Sequence, residues 1–301
     1  MKQSFPATGL GKLCGLFGKT RQAFYDHQHR IGDDQLHEAI IIDRVKRIRQ
    51  RIEGIGGRQL YEMLKAEFMG HGIAMGRDRF YELLRKHRLL IRTKKRYVVT
   101  TDSDHPYFKW PDRSKELKLK SIEQLWVSDI TYLSIKNGFV YLSLVTDAYS
   151  RKIMGHHVSQ RLKAQGCVAA LNKAIRSLRG GKQNRNLIHH SDRGIQYCCE
   201  SYVTILQENN IQISMTQSGS PYDNAIAERV NGILKNQLGL NRIFKDYTSA
   251  VAAVCKAIDA YNRLRPHMSI GNLTPDRAHD SNQELIKKWK KKKWPVRSVK
   301  D

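Results

Sequence analysis

The sequence lacks the long apolar runs of a membrane protein. Its longest apolar stretches, Ala39–Ile42 and Phe139–Val145, are much shorter than the roughly 20 residues that span a bilayer. Lys12 and Lys19 interrupt any apolar core that an N-terminal signal peptide would need. We therefore expect no membrane partner and a cytoplasmic location.

Cysteine is scarce and unpatterned. The five cysteines are an odd number, and no two of them form a Cys-x-x-Cys pair. A chain of this length is also large for a scaffold held together by disulfides. A reducing compartment is therefore the simpler interpretation.

Acidic residues are in short supply. The chain has 28 Asp and Glu against 53 Lys and Arg, a net charge of +25, which indicates a polyanionic partner, either nucleic acid or an acidic membrane surface. Residues 1–100 carry a net +11 and residues 241–301 a net +8, whereas residues 121–240 carry only +5. Because 40% of the residues are hydrophobic, the chain can still bury a core. This distribution predicts basic ends that bind DNA and a central region whose charges are closer to balance.

Residues 1–97 are predicted to be helical. The first helix covers Leu10–Leu16, and Thr20 caps a second that runs through Tyr25. A separate, longer helix is predicted to start at Asp33 or Asp34. It buries a stripe of residues at helical spacing, namely Ile41, Val45, Ile48 and Ile52.

The end of this region has the pattern of a helix-turn-helix. A helix over Arg58–Phe68, a glycine turn and a basic helix over Arg77–His87 follow one another, and Arg77 and Arg79 are its expected DNA contacts. An ordinary helical hairpin with a solvated basic face would give the same pattern, but the net charge favours double-stranded DNA. A linker is predicted over residues 98–120. The basic string just before it supplies four more candidate DNA contacts, Arg92, Lys94, Lys95 and Arg96.

From residue 121 the pattern changes to strands, followed by alternating helices and strands. Leu125–Ile135 and Phe139–Thr146 flank Asn137-Gly138, which is a strong hairpin signal. Three further strands are predicted at Lys152–Val158, Leu187–His190 and Ile211–Met215. Four helices are predicted at Leu162–Leu178, Cys199–Glu208, Asp223–Leu238 and Ser249–Asn262. This order predicts an α/β domain with a mixed sheet over residues 121–280 and a basic tail over residues 281–301.

Three carboxylates do not fit their surroundings. Asp129 interrupts an apolar row of the first strand, Asp192 directly follows a short strand, and Glu228 lies on a helix. Taken singly, each has a structural explanation: a strand-end or turn aspartate bonded to backbone, or a solvated helix residue. Together they suggest a site for Mg²⁺, which prefers oxygen ligands, and for phosphodiester chemistry with two metal ions.

Five sequence strings carry a resemblance to a known family. WVSDITYL contains Asp129, HHSDRGIQY contains Asp192 and SPYDNAIAERVNGILK contains Glu228, and 35 residues separate the last two carboxylates. VTDAYSRKIMG and YNRLRPHMSIGNLTP complete the order. The chain resembles the integrase-core transposases of bacterial insertion sequences, of the type encoded by the second reading frame (OrfB) in insertion-sequence family three.

The resemblance implies an RNase H-like α/β core, preceded by a helix-turn-helix region. Asp129, Asp192 and Glu228 would be its catalytic and metal-binding residues, with Mg²⁺ or Mn²⁺ as the cofactor. Lys235, two helical turns after Glu228, would contact DNA. The implied partners are the element's terminal inverted repeats and target DNA, bound at the nucleoid by a homo-oligomer. The product of an upstream reading frame is a further candidate partner.

Two other functions would share many of these features. A non-catalytic helix-turn-helix regulator would bind DNA without using the carboxylates, and an RNase H-like nuclease would cleave DNA without joining it. The intact carboxylates and the five strings favour a DNA transposase that cleaves and joins phosphodiesters, in DNA transposition, integration and recombination.

Overall fold

The computed structural model describes residues 8–91, 106–115, 117–179, 186–217, 224–281, 283–286 and 288, apart from the side chains of residues 30, 31 and 33. Contacts divide the chain into two compact units. The first is Met1–Gln50 with Leu64–Leu90, and the second is Arg51–Met63 with Ile91–Asp301. The predicted DNA contacts Arg92, Lys94, Lys95 and Arg96 and nearly all of the basic tail lie outside the described residues, so they stay predictions.

The first unit is helical. It contains α1 (Leu10–Leu16), nearly all of α2 (Arg21–Arg51), the second half of α3 (Gly57–Gly70) and α4 (Arg77–Lys86). The Thr20 hydroxyl accepts a hydrogen bond from the Ala23 backbone N–H at 3.1 Å, so Thr20 caps α2 as predicted.

The predicted break between Tyr25 and Asp33 was wrong, because α2 continues through both positions. The intervening segment contains no proline, and a lone glycine such as Gly32 weakens a helix by about 1 kcal/mol without ending it. The Asp34 carboxylate does not cap a helix. It accepts a hydrogen bond from the Arg79 guanidinium at 2.9 Å.

The second half of α3, a glycine turn and α4 follow one another as the helix-turn-helix pattern predicted. Gly72 adopts the left-handed conformation in the turn, with φ 65°. Phe80 of α4 is fully buried and packs against Phe68 of α3 with ring centroids 5.9 Å apart. Leu83 and Leu84 complete the buried face of α4, so its arginines and lysine lie on the solvent side.

The second unit contains a five-stranded mixed sheet. Its strands are β1 (Leu125–Ile135), β2 (Gly138–Asp147), β3 (Ile153–Ser159), β4 (Ile188–Ser191) and β5 (Gln212–Met215). The order across the sheet is β3-β2-β1-β4-β5. The first three strands are antiparallel neighbours, and β4 and β5 run parallel to β1. The predicted α/β fold with a mixed sheet is confirmed.

Helices pack on both faces of this sheet. They are α5 (Ala164–Arg176), α6 (Ile195–Cys198), α7 (Glu200–Glu208), α8 (Ala225–Gln237), α9 (Tyr247–Arg263) and α10 (Pro275–Asp280). Trp126 of β1 faces the core formed with α5 and α7, whereas Leu125 and Val127 face Ala227 of α8. None of the helices in the described ranges is long and apolar enough to cross a membrane.

The hairpin between β1 and β2 turns one residue earlier than predicted. Ile135 pairs with Gly138, so Lys136 and Asn137 form the tip and Gly138, at φ 121°, begins β2. Only Leu125–Val127 of β1 pairs with β4, and the next pairing on that side among the described residues is an isolated bridge from Ile135 to Phe244.

Candidate active site

The sheet register brings two of the predicted carboxylates together. Val127 of β1 pairs with His190 of the parallel strand β4, so Asp129 and Asp192, each two residues further on, lie at the same end of the sheet. Asp129 is partly buried on the face that packs against α8. Glu228 lies in the first turn of α8 and is exposed. All three therefore occupy the positions expected from their strands and helix.

Electrostatics show that the three carboxyl groups affect one another. Burial, the negative charge of Asp192 and a smaller effect of Glu228 raise the pKa of Asp129 to about 7. Hydrogen bonds from the Ile130 N–H at 2.9 Å and from Asn231 oppose this rise only in part. Partial burial also raises the pKa of Glu228. The ionised form of Asp129 is thus disfavoured in the folded protein.

Asn231 is a site residue that the sequence analysis missed. Its amide nitrogen donates a 2.7 Å hydrogen bond to Asp129 Oδ2, and its amide oxygen is buried with no hydrogen-bond partner. It lies three residues after Glu228, about one helical turn, on the same side of α8. This i, i+3 spacing from Glu228 is the one signal in the sequence that could have identified it.

Helix α8 is fixed at three points along its length. At its start, the Asn224 amide donates to the Ser128 carbonyl of β1 at 2.9 Å. In its middle, Asn231 binds Asp129. At its end, the Gln237 carbonyl accepts from the Gly54 N–H at 2.8 Å, and its side chain accepts from Arg265 at 2.7 Å. These bonds hold the helix that carries Glu228 against the strand that carries Asp129.

Lys235 lies beside the same strand. Its ammonium nitrogen is 4.4 Å from the centre of the Tyr132 ring, a cation–π distance. Burial lowers the pKa of Lys235, and the neighbouring charge of Asp129 opposes that change. The structure therefore places Lys235 near Asp129, and its contact with DNA stays a prediction.

The predicted DNA contacts of α4 are engaged by carboxylates. Arg79 pairs with Asp34 at 2.9 Å, and Arg77 pairs with the adjacent Asp78 at 2.8 Å. All four side chains are exposed, so these surface pairs contribute only about 0–1 kcal/mol each. A phosphate could displace either carboxylate at little cost. Their role in DNA binding stays a prediction.

Asp147 has a structural role. It is fully buried, and its carboxylate accepts four hydrogen bonds: from the backbone N–H groups of Glu123, Tyr149 and Ser150 and from the Ser150 hydroxyl. These bonds stabilise the turn between β2 and β3. Buried His189, just ahead of Asp192, likewise contacts the Ser128 and Tyr202 hydroxyls.

The donor chemistry of the site fits a hard divalent cation. The groups near Asp129 offer carboxylate oxygens and the buried, unpartnered amide oxygen of Asn231, which are ligands that Mg²⁺ prefers. Within the described ranges, however, no three His, Cys, Asp or Glu side chains form a group that could hold a metal ion. The set of ligands is therefore chemically suitable but not compact.

A five-stranded sheet of this order, with carboxylates on β1, after β4 and on a following helix, has the arrangement expected of an RNase H-like integrase core. Integrase core domain families match residues 121–221 and 209–275. The 31 kDa protein of insertion element IS600 from Shigella sonnei is 33% identical over 87% of this chain and 96% of its own length. The IS629 transposase of the same species is 28% identical over 90% of this chain and 91% of its own.

Two further matches cover about half of the chain. Transposase InsF of insertion sequence IS3A from Escherichia coli is 38% identical over 53% of this chain and 54% of its own length. The magnesium-bound catalytic core of HTLV-2 integrase is 19% identical over 53% of this chain and 97% of that chain, with a TM-score of 0.42. The chain belongs to the insertion-sequence transposases of the IS3 type, as its motifs predicted.

Membership of this family establishes the general activity. The protein is a DDE transposase, a polynucleotidyl transferase that acts on DNA. Enzymes of this family depend on divalent metal ions and oligomerise on DNA. The regulator and nuclease alternatives are accordingly set aside.

Proposed function

We propose that Asp129, Asp192 and Glu228 are the catalytic carboxylates of this transposase and that they hold Mg²⁺, or Mn²⁺ in its place. The observation that carries the proposal is the partly buried Asp129 carboxyl, whose pKa is raised to about 7 by burial and by the nearby charges of Asp192 and Glu228. Such a group is stabilised when a cation binds it. When bound, the metal would stabilise the charge that develops on the attacking and leaving oxygens of a phosphodiester.

Asn231 and Lys235 have supporting roles in the proposed reaction. Asn231 orients the Asp129 carboxylate through its 2.7 Å hydrogen bond, and Lys235 neutralises a phosphate near the scissile bond. Water, or a DNA 3′-OH, attacks a phosphodiester at the element end and releases a 3′-OH. That 3′-OH then attacks a second strand. Each joining step exchanges one phosphodiester for another, so no high-energy cofactor is consumed.

The DNA substrates follow from the charge distribution. The first unit would bind the terminal inverted repeats through Arg77 and Arg79 of α4. The basic string over residues 92–96 would bind the phosphate backbone of the DNA. The active form would be a homo-oligomer on DNA at the nucleoid. The product of an upstream reading frame is a further proposed partner.

The test replaces single carboxylates without changing their volume. Asp192→Asn and Glu228→Gln should each abolish cleavage and joining of labelled element ends in Mg²⁺, because an amide is a poor Mg²⁺ ligand. Both variants should still bind the ends. Glu200→Gln is the matched control, since Glu200 is also an exposed glutamate in the first turn of a helix. Joined product identifies a transposase rather than a nuclease, and near-normal joining by a stable variant would remove that residue from the site.

A further inference from the structure

An exposed apolar patch lies at the hairpin end of β1. Phe139, at the start of β2, is 53% exposed, and its ring packs edge-on against Tyr132 with centroids 5.3 Å apart. Ile243 is 72% exposed. We call Tyr132, Phe139 and Ile243 the aromatic patch. Because Tyr132 holds the Phe139 ring from the side, Phe139 offers a fixed aromatic surface to a partner.

Sheet register places Tyr132 and Phe139 on one face. Phe139 pairs with Ser134 of β1, and Tyr132 is two residues before Ser134, so both rings point to the same side. On the other side of β1, Phe244 bridges Ile135 in parallel, and Ile243 directly precedes Phe244. The patch therefore lies at the hairpin end of β1, and its two aromatic rings are in contact.

Lys235 connects the aromatic patch to the active site. Its ammonium group lies over the Tyr132 ring at 4.4 Å and is close enough to Asp129 to feel its charge. Asp129 and Tyr132 lie on opposite faces of β1, and the Lys235 side chain is close to both. A DNA strand that passes from the carboxylates around the edge of β1 would therefore meet Lys235 and then the patch. Lys235 lies over the Tyr132 ring and Phe139 packs against its side. The Phe139 ring is therefore the exposed aromatic surface.

The charges around the patch indicate which kind of partner binds it. Lys136, Arg242 and Lys245 are exposed within three residues of Phe139 or Ile243, against one exposed carboxylate, Asp246, in the same stretches. A basic rim repels a second copy of the same basic surface and attracts the phosphates of DNA. Aromatic rings next to basic groups bind unpaired DNA by stacking on its bases. Charge complementarity thus favours DNA over another protein copy.

We propose that Phe139 is a stacking platform for an unpaired base of the DNA strand that leaves the active site. Tyr132 braces the Phe139 ring from the side, and Lys235 binds the phosphate between the reacting position and the stacked base. The inference rests on the proposed active site at Asp129 and adds the substrate class that it prefers: a DNA end whose terminal bases are unpaired.

The experiment compares forked and blunt DNA. The full-length protein is titrated, in EDTA so that no chemistry occurs, with fluorescein-labelled duplexes that end in an unpaired thymidine tail or in a blunt end. Phe139→Ala should weaken binding of the forked duplex by about 5- to 150-fold, the range for loss of one stacked base. Binding of the blunt duplex should change by less than about two-fold, because its phosphate contacts persist. Phe139→Tyr should retain the preference for the fork.

Phe108 supplies the matched control. It is 69% exposed and packs edge-on against Trp110 with centroids 5.1 Å apart, but no described cation lies over either ring. Phe108→Ala should leave both affinities unchanged. Phe139→Leu guards against a folding artefact, since it keeps an apolar side chain and removes only the π-face. It should lose the fork preference with an unchanged circular dichroism spectrum.

Several outcomes would overturn the proposal. Equal weakening of forked and blunt DNA by Phe139→Leu would indicate a general effect, and no weakening would exclude stacking. A change from dimer to monomer in Phe139→Ala, with DNA affinity unchanged, would assign the patch to a subunit contact. The readout is binding alone, so joining activity in Asp192→Asn would refute the catalytic assignment and leave the stacking result standing.

Discussion

Replacing Asp129 by asparagine should abolish the reaction and stabilise the metal-free protein. The pKa of this carboxyl rises from 3.8 to about 7 on folding, so at pH 8 its ionised form costs about 4 kcal/mol as an upper limit. Because the folded-state pKa is the higher one, this cost grows between about pH 4 and pH 7 and is constant above. Asparagine does not titrate, so the pH dependence should disappear with the charge.

The assay is thermal unfolding in EDTA at pH 8. If the charge of Asp129 costs half of this upper limit, about 2 kcal/mol, its removal would raise the melting temperature of a unit of this size by about 4 to 8 °C. Asp147→Asn is the matched control, and we expect it to lower the melting temperature rather than raise it. The Asp147 carboxylate accepts four hydrogen bonds, and an amide nitrogen in place of one oxygen would face a donor. That variant should lose about 1–3 kcal/mol or more of stability.

Metal addition completes the experiment. A cation bound at Asp129 stabilises the folded state by mass action, so Mg²⁺ should raise the melting temperature of the wild type and not that of Asp129→Asn. A fall in the melting temperature of Asp129→Asn, like that of Asp147→Asn, would refute the reasoning. Asp129 would then be a structural carboxylate whose hydrogen bonds outweigh its repulsion.

Three further perturbations test other parts of the site. Excess EDTA should abolish cleavage and joining while DNA binding persists, and cleavage in EDTA would exclude a metal mechanism. Lys235→Ala should lower the salt dependence of binding to element ends by about one phosphate contact, and an unchanged slope in a salt titration would remove Lys235 from the DNA path. Gly54→Ala places a Cβ 2.3 Å from the Asn236 carbonyl and should cost about 1–3 kcal/mol in urea unfolding. Gly15→Ala, whose Cβ meets no atom within 4 Å, should cost nothing.

The sheet and its carboxylates could be predicted because their signals are local. The bounds of β1 match the alternating run Leu125–Ile135, and Asp192 follows β4 because the apolar run of that strand ends there. The continuity of α2 could not be predicted. Asp33 and Asp34 carry a capping signal, and it is the Arg79 side chain, 45 residues later, that binds Asp34 instead.

Asn231 shows a different limit. Its spacing from Glu228 indicates only a shared side of the helix, and the hydrogen bond that gives it a role reaches Asp129, 102 residues earlier in the chain. The turn at Lys136-Asn137 is a third case. The Asn-Gly pair marked the hairpin correctly, but the register was set one residue earlier, with Gly138 paired to Ile135.

The hydrogen bond from Gly54 to Gln237 has a consequence for synthesis. The residues around Gly54 leave the ribosome early, yet the end of α8 against which they pack is made 183 residues later. At about 5–20 residues per second the nascent chain spends roughly 10 to 40 s with this segment uncovered. During that interval Ile52 and Ile55, fully buried in the finished protein, lack part of their final surroundings. Translation speed between residues 54 and 237 therefore sets how long the nascent transposase needs protection from aggregation.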